Sequence, residues 1–269
     1  MSDENSYINL NYKEIFKNGN LQNSNYNIAP VSPHILFENF FNEDVLNFVL
    51  NEFPDLAKEH DQSYNDSNSN NLAKNNLTDL NYTKKFIDFL NSKKFVNFLQ
   101  KLTGINEKLV ADPYMLGGGI HEYKRGGNLK LHSDFYLHPT LKLDRRINIL
   151  IYLNKNYKSE QKGEIYLYDK DLNNFVKYYP KFNSLLIFNT TEHSYHGFPE
   201  PIEMNSRKSI ALYFYSNGRP KYERNIYRRL NTTYWINQNN NVDSNKSLKN
   251  YILKFIKKRM PSFLLNLVK

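Results

Sequence analysis

The sequence predicts a mainly β fold with flanking helices: a double-stranded β-helix, or jelly roll, packed by N-terminal helices. Two observations predict it. After Gly104, eight short runs rich in β-branched and aromatic residues follow one another, separated by turn residues. Short strands with turn signals between them form the pattern of a sandwich or barrel. Ahead of them, apolar residues recur at helical spacing. Helices that precede the strands, rather than alternating with them, argue against a parallel βαβ sheet.

Taken in order, residues 1–30 are polar, Asn-rich and weakly patterned, and are expected to form a loosely ordered arm. Residues 31–104 form a helical lead-in expected to pack on the core. Within it, Phe40, Val45, Leu46, Phe48, Val49 and Phe53 recur at helical spacing after Asn42, which reads as an N-cap, and Pro54 closes the segment. The stretch HDQSYNDSNSNNLAKNN, residues 60–76, is low in complexity and polar, and reads as a loop. A second helical region spans about 83–103, with Phe86, Ile87, Phe89, Leu90, Phe95, Val96, Phe98 and Leu99 on its apolar face and Gly104 at its end. The jelly-roll core is expected over residues 105–219, in the runs MLGGGIHEYK, NLKLHSDFY, RINILIYLN, GEIYLYD, NNFVKYY, NSLLIFN, HSYHGF and KSIALYFYS. Residues 220–269 read as a C-terminal extension with a basic amphipathic helix. In it, Leu248, Tyr251, Ile252, Phe255 and Ile256 share one face, and Lys249, Lys254, Lys257 and Lys258 mostly avoid it. Such a helix packs on the body or a protein partner, or else lies on an anionic membrane surface; the first is the commoner case.

Charge and composition bound the function classes. The excess of 36 Lys and Arg over 27 Asp and Glu gives a formal +9, which favours acidic partners. No block of like charge reaches the length of a nucleic-acid-binding tail, so the excess reads as a dispersed surface charge, and nucleic acid is not the expected partner. The chain has no cysteine, which excludes disulfides and thiolate metal sites. Any metal must therefore use His, Asp, Glu or water. The N-terminus lacks a basic region followed by an apolar run, and no uncharged apolar stretch reaches transmembrane length, so the expected location is cytoplasmic.

The chemistry centres on His132-Ser133-Asp134. In a strand, residues i and i+2 face the same side, so an imidazole and a carboxylate aim at one point while Ser133 turns away. A third ligand must come from a distant strand, and His196 in SYHGFP is the best candidate. Two His and one carboxylate leave three open positions on a six-coordinate metal, the arrangement of non-haem Fe(II) oxygenases. A hydrolytic zinc site could use the same set. His193 competes with His196, but positions three apart in a strand face opposite sides, so His193 reads as a surface or supporting residue. His121 and His138 read as packing or substrate-side residues. Downstream, Arg207 opens RKSIALYFYS, whose alternation places Arg207, Ser209 and Ala211 on one face. An Arg there can grip a carboxylate through two parallel hydrogen bonds, and Ser209 can add a hydroxyl contact.

These motifs, in this order, resemble the 2-oxoglutarate/Fe(II)-dependent dioxygenase superfamily, and specifically its prolyl 4-hydroxylase-like branch. The resemblance runs over about residues 111–218, through GGGIHEYKRGGNLKLHSDF, RRINILIYLN, KGEIYLYD, NSLLIFNT, SYHGFP and RKSIALYFY. It implies His132, Asp134 and His196 as iron ligands and catalytic residues. It implies Arg207 as the partner of the distal carboxylate of 2-oxoglutarate, and Tyr123 as a hydrogen-bonding contact of the cosubstrate. Asn148 is expected to face the same pocket. The implied cofactors are Fe(II), 2-oxoglutarate and O2, with ascorbate as a reductant for the iron. KGE, residues 162–164, departs from the two glycines common in this branch, but that concerns a turn. Halogenating relatives have a small residue where Asp134 stands, so the resemblance implies hydroxylation of an unactivated C–H bond. A prolyl residue of a protein or a small metabolite is the implied substrate. The alternatives are a nucleic-acid oxidative demethylase and a non-enzymatic jelly-roll binding module.

Overall fold

The structure is a computed structural model that describes residues 4–66, 68–220 and 232–236. Six α-helices are described: α1 (Lys13–Lys17), α2 (Asn23–Asn27), α3 (Glu43–Asn51), α4 (Leu56–Glu59), α5 (Asn81–Leu90) and α6 (Lys93–Thr103). The strands are β1 (His34–Glu38), β2 (Gln62–Asn65), β3 (Asn70–Lys74), β4 (Leu109–Ala111), β5 (Gly119–Lys124), β6 (Leu129–Ser133), β7 (Asp144–Tyr152), β8 (Ile165–Tyr168), β9 (Phe175–Tyr178), β10 (Ser184–Asn189), β11 (His196–Phe198), β12 (Ser206–Ser216) and β13 (Tyr234–Trp235). The larger sheet runs β1-β10-β7-β12-β5-β3-β2, with β4 also paired to β12, and the smaller runs β13-β6-β11-β8-β9. The paired strands are antiparallel throughout. This is the mainly β, jelly-roll-like architecture with N-terminal helices that the sequence predicts.

Strand alternation explains why β7 reads as an almost unbroken apolar run. Ile147, Ile149 and Ile151 point to one face, where they join Ile210, Leu212 and Phe214 of β12 and Phe86, Phe95 and Phe98 of the helices in one core. Leu150 and Tyr152 point to the other face. There Tyr152 joins Leu186 and Phe188 of β10 and Ile165, Leu167 and Phe198 of the smaller sheet in a second core, against which Leu150 packs. A strand covered on both faces cannot alternate with polar residues, except where the inner face carries chemistry.

The helices follow their capping signals. The Asn42 side chain accepts from Asp44 N–H at 3.0 Å, and α3 starts there. The single helical region expected at 83–103 is two helices. Asn91 ends α5, and Ser92 Oγ accepts from Phe95 N–H at 3.3 Å to start α6. Asn and Ser offer the backbone a competing partner, which breaks the helix although the apolar periodicity runs through. Gly104 closes α6 in the left-handed region at φ +70°.

Three segments differ from expectation. Residues 1–30 do not form a loose arm: short turns and the helices α1 and α2 bury Ile8, Phe16 and Tyr26. The Tyr7 ring stacks on Phe89 at 4.5 Å, and Phe16 meets Phe98 at 5.4 Å. Gly19 lies so close to α6 that a Cβ there would stand 2.6 Å from the Phe98 carbonyl oxygen. Few but large apolar residues anchor this segment, and they are too widely spaced to register as periodicity. The polar stretch 60–76 holds a hairpin, β2 with β3, and β3 adds to the edge of β5. β1, β4 and β13 are also strands beyond the eight runs. The basic helix expected after Leu248 lies outside the described residues. Met1–Trp235 form one compact unit, so Trp235 belongs with the core and not with an extension beginning at 220. Among the described residues, no helix is long and apolar enough to cross a membrane.

If residues 1–30 complete the core, Phe16→Ala lowers unfolding free energy by about 3–5 kcal/mol, the usual loss for a fully buried aromatic ring. Leu21→Ala, at a position 53% exposed, changes it by under about 0.5 kcal/mol. Equal denaturation midpoints for the two variants would return the segment to an arm.

Candidate metal centre and its cavity

Strand pairing brings the three residues together. His132 lies in β6, Asp134 just past its end, and β11 places His196 directly opposite His132. The two imidazole centroids are 4.4 Å apart. His132 Nε2 stands 3.6 Å from Asp134 Oδ1, and His196 Nε2 stands 3.4 Å from Asp134 Oδ2. One donor atom from each residue lies within 4.8 Å of the others, a spread one metal ion can span. Gly197 makes the approach of the strands possible: a Cβ there would stand 2.7 Å from the Leu129 carbonyl oxygen and 2.8 Å from that of Lys130.

Both imidazoles are held in the tautomer a metal needs. His132 Nδ1 donates to the Lys130 carbonyl at 2.8 Å, and His196 Nδ1 donates to the Ser194 carbonyl at 2.9 Å. A carbonyl only accepts, so Nδ1 carries the proton and Nε2 presents its lone pair to the site. Burial, with the neighbouring His132, pushes the His196 pKa down to about 4, so its ring is neutral at ordinary pH. Burial would raise the Asp134 carboxyl, but Arg145 and the two histidines outweigh it and hold Asp134 well below the usual carboxylate range. The site thus offers two imidazole nitrogens and one anionic oxygen. This donor set suits a divalent first-row metal with positions left for other ligands.

Asp134 is itself held. Its Oδ2 accepts from Asn148 Nδ2 at 2.7 Å and from Arg145 Nη2 at 3.0 Å. Asn148 Oδ1 in turn accepts from Arg145 Nε at 2.8 Å and from Thr190 Oγ1 at 3.1 Å. The Arg145 guanidinium is buried between rings, 3.4 Å over Tyr213 and 4.8 Å over Phe135. Nothing in the strand reading of RRINILIYLN marks Arg145 or Thr190. Their partners, Asp134 for Arg145 and Asn148 for Thr190, are separated from them in sequence, and only the fold brings them together.

The same three residues line a cavity of about 190 Å³ with Arg207, Tyr123, Ser209 and Asn148. Every site residue anticipated from sequence therefore faces one space. The Asn148 amide, however, is engaged by Asp134 and not directed toward Arg207. The Arg207 side chain is 2% exposed, donates from Nε to the Gly163 carbonyl at 2.9 Å, and reaches the Tyr152 hydroxyl at 3.4 Å. Its guanidinium lies 4.2 Å over the Phe198 ring. No carboxylate among the described residues pairs with it. A buried, unpaired cation is costly, which makes this end of the cavity ready for an anion. Tyr123 is buried beside it, and burial pushes its phenol up to about 12, so it stays protonated.

The remaining histidines separate clearly. His193 is exposed and sits 3.1 Å from Glu192. His138 is buried against Tyr215, with its Nε2 3.6 Å from Asp112, and its Nδ1 accepts from the Thr140 and Leu141 amides. His121 lines the cavity and accepts from Asn71 Nδ2 at 2.9 Å. Burial, with Arg207, pushes its pKa down to about 4. Trp235 and Thr233 also line the cavity, from a segment the sequence reading assigned to the C-terminal extension.

With His121 and His196 neutral in the fold down to about pH 4, and free imidazoles titrating near 6.5, the unfolded chain binds more protons below 6.5. Their contribution to stability is complete above pH 6.5 and is lost as the pH falls through about 4. Denaturation midpoints of the metal-free protein will fall across this window, and His121→Gln will make the decline shallower. An unaltered slope would mean that His121 protonates freely in the folded state.

Residues 118–215 match the 2OG-Fe(II) oxygenase superfamily. No curated protein matches the chain. Among solved structures, a prolyl-4-hydroxylase from Pseudomonas putida superposes with a TM-score of 0.55 at 13% identity, covering 74% of this chain and 98% of that one. A prolyl hydroxylase from Trichoplax adhaerens, in complex with a hypoxia inducible factor peptide fragment, gives 0.56 at 18% identity, covering 79% and 96%. A prolyl 4-hydroxylase from Phytophthora capsici gives 0.53 at 14%, covering 76% and 65%. The superfamily match spans the segment that carries His132, Asp134, His196 and Arg207, and the fold is similar to that of the prolyl 4-hydroxylases.

Proposed function

We propose that the protein is a 2-oxoglutarate- and Fe(II)-dependent dioxygenase that hydroxylates an unactivated C–H bond, in a prolyl residue of a peptide or in a small metabolite, with His132, Asp134 and His196 as the iron ligands. One observation carries the residue assignment: a buried guanidinium without a described carboxylate partner shares a cavity with two lone-pair-presenting imidazoles and a carboxylate. A cosubstrate with a carboxylate at each end fits that separation of charges. Arg207 takes the distal carboxylate, and Tyr123 and Ser209 stand as its polar neighbours.

Bound by the three residues, Fe(II) supplies the oxidative decarboxylation of 2-oxoglutarate and the use of O2 to oxidise the substrate. The protein's part is geometric. The backbone carbonyls of Lys130 and Ser194 keep both imidazoles aimed. Arg145 and Asn148 hold one oxygen of Asp134 and leave the other free to ligate. The aromatic shell of Phe198, Tyr152 and Tyr123 around Arg207 keeps water from the salt link that a bound carboxylate would make. The peptide held by the Trichoplax neighbour supports a peptidyl substrate. Ascorbate as reductant and a cytoplasmic setting belong to the same proposal.

Substitution of Ala for His132 or Asp134 abolishes succinate formation, while Arg207→Ala raises the 2-oxoglutarate requirement at least about tenfold, the order expected from a lost charge-assisted pair. Succinate release across a panel of proline peptides, amino acids and sugars checks the substrate. Full turnover by the His132 variant with limiting iron would sink the ligand assignment. Asn148→Ala weakens metal binding by roughly 10–100-fold, as for other outer partners of a ligand. Metal titration followed by tyrosine and tryptophan emission reads that loss, and unchanged affinity would remove Asn148 from the role.

A further inference from the structure

The residues lining the cavity differ widely in exposure. Arg207 and Tyr123 are 2% and 5% exposed, whereas Tyr64, which also lines it, is 39% exposed. An oxo-acid seated on Arg207 occupies the buried part, so the molecule to be oxidised must reach the metal from the exposed one. One element lines the cavity beside the metal ligands without any part in the assigned ligand set. β13 pairs with β6 so that Trp235 lies opposite His132 and Tyr234 opposite Ser133. This pairing sets the indole 4.8 Å from the His132 ring, at 38°. The indole is half-buried and lines the cavity. β13 is also the last strand of its sheet, so among the described strands nothing covers its outer side.

We propose that Trp235 is a specificity-determining residue of this oxygenase: its indole is the substrate-side wall of the metal centre and sets the size of the group that reaches the ion. This rests on the assignment of His132, Asp134 and His196 as ligands. A large flat ring beside a ligating imidazole leaves little room on its own side, and it presents a π face to C–H bonds. Because the backbone pairing of β13 holds it, the wall moves only if that pairing opens.

Trp235 is the single tryptophan of the chain, so its emission reports on one place. Co(II), titrated into the metal-free full-length protein with 2-oxoglutarate, should quench that emission in step with the visible absorption of the bound ion. Zn(II), which has a closed shell, should bind without quenching. In the Co(II) form, azide and 4-phenylimidazole serve as small and bulky probes of the open position. The wild type should admit azide and resist 4-phenylimidazole. Trp235→Ala should bind 4-phenylimidazole at least tenfold more tightly with azide affinity unchanged, and Trp235→Phe should fall between them. Co(II) bound with undiminished emission, or equal 4-phenylimidazole affinity in wild type and Trp235→Ala, overturns the proposal. A protein that binds no Co(II) overturns the ligand assignment itself and is told apart by the missing visible band. If Trp235→Ala fails to fold, azide no longer shifts its spectrum, and the quenching together with Trp235→Phe decides.

Discussion

The alignment of His196 against His132 across two antiparallel strands is the constraint on which the rest depends. Each imidazole is then steered by a backbone carbonyl two residues earlier, within β6 for His132 and just ahead of β11 for His196, so backbone geometry fixes ring orientation without help from other side chains. Such a device needs the strands unusually close, and the backbone at residue 197 has no room for a side chain. A glycine is therefore required by packing before any question of chemistry arises. The ligand geometry is a consequence of register, and a slip of β11 by one residue would turn the His196 ring away from His132.

Two buried guanidiniums divide the electrostatics between them. Arg145 sits 3.0 Å from Asp134, sandwiched by rings, and offsets the cost of burying a carboxylate. Arg207 has no such partner among the described residues and is satisfied by a carbonyl, a hydroxyl and aromatic faces. Those contacts stabilise a cation less than an ion pair does. The difference gives the cavity polarity: balanced at the metal, positive at Arg207. An anionic ligand completes the second pair, and a neutral one leaves it open. The lowered pKa of His121 follows in part from the same charge, since a second cation beside Arg207 would be repelled.

Much of this was legible in the sequence, and the reasons are local. His132 and Asp134 are two apart at the end of a strand, so their shared face could be read directly. Arg207 and Ser209 were legible for the same reason. The eight β runs from 105 onward all became strands, because alternation and turn residues act over a few positions. What escaped was set by long-range contact. Arg145 looks like any basic residue at the start of an apolar strand until Asp134 is folded against it. Phe16 and Tyr26 are isolated in an Asn-rich stretch, and a single large ring can anchor a segment without forming a pattern. The hairpin at 62–74 is polar because one side of it faces solvent, and composition alone reads that as a loop. Asn148 was expected in the cavity and is there, but what its amide binds depended on residues 14 positions back and 42 positions on.

The double burial of the larger sheet links these parts. β7 and β12 carry the helix-facing core on one side and the site residues on the other, so Ile147, Ile149 and Ile151 hold Asn148 and Tyr152 in place simply by filling the space behind them. The aromatic cluster of the helices, including the rings of the first 30 residues, is thereby part of the site's support although none of it faces the metal. The smaller sheet is different: β6 and β11 are short, and among the described residues β6 is flanked on its outer side by the two residues of β13 and by a single bridge from Ser69 to Leu129. Rigid positioning therefore comes from the larger sheet. The exposed edge of the smaller one is where the approach of a substrate can be controlled by a single side chain.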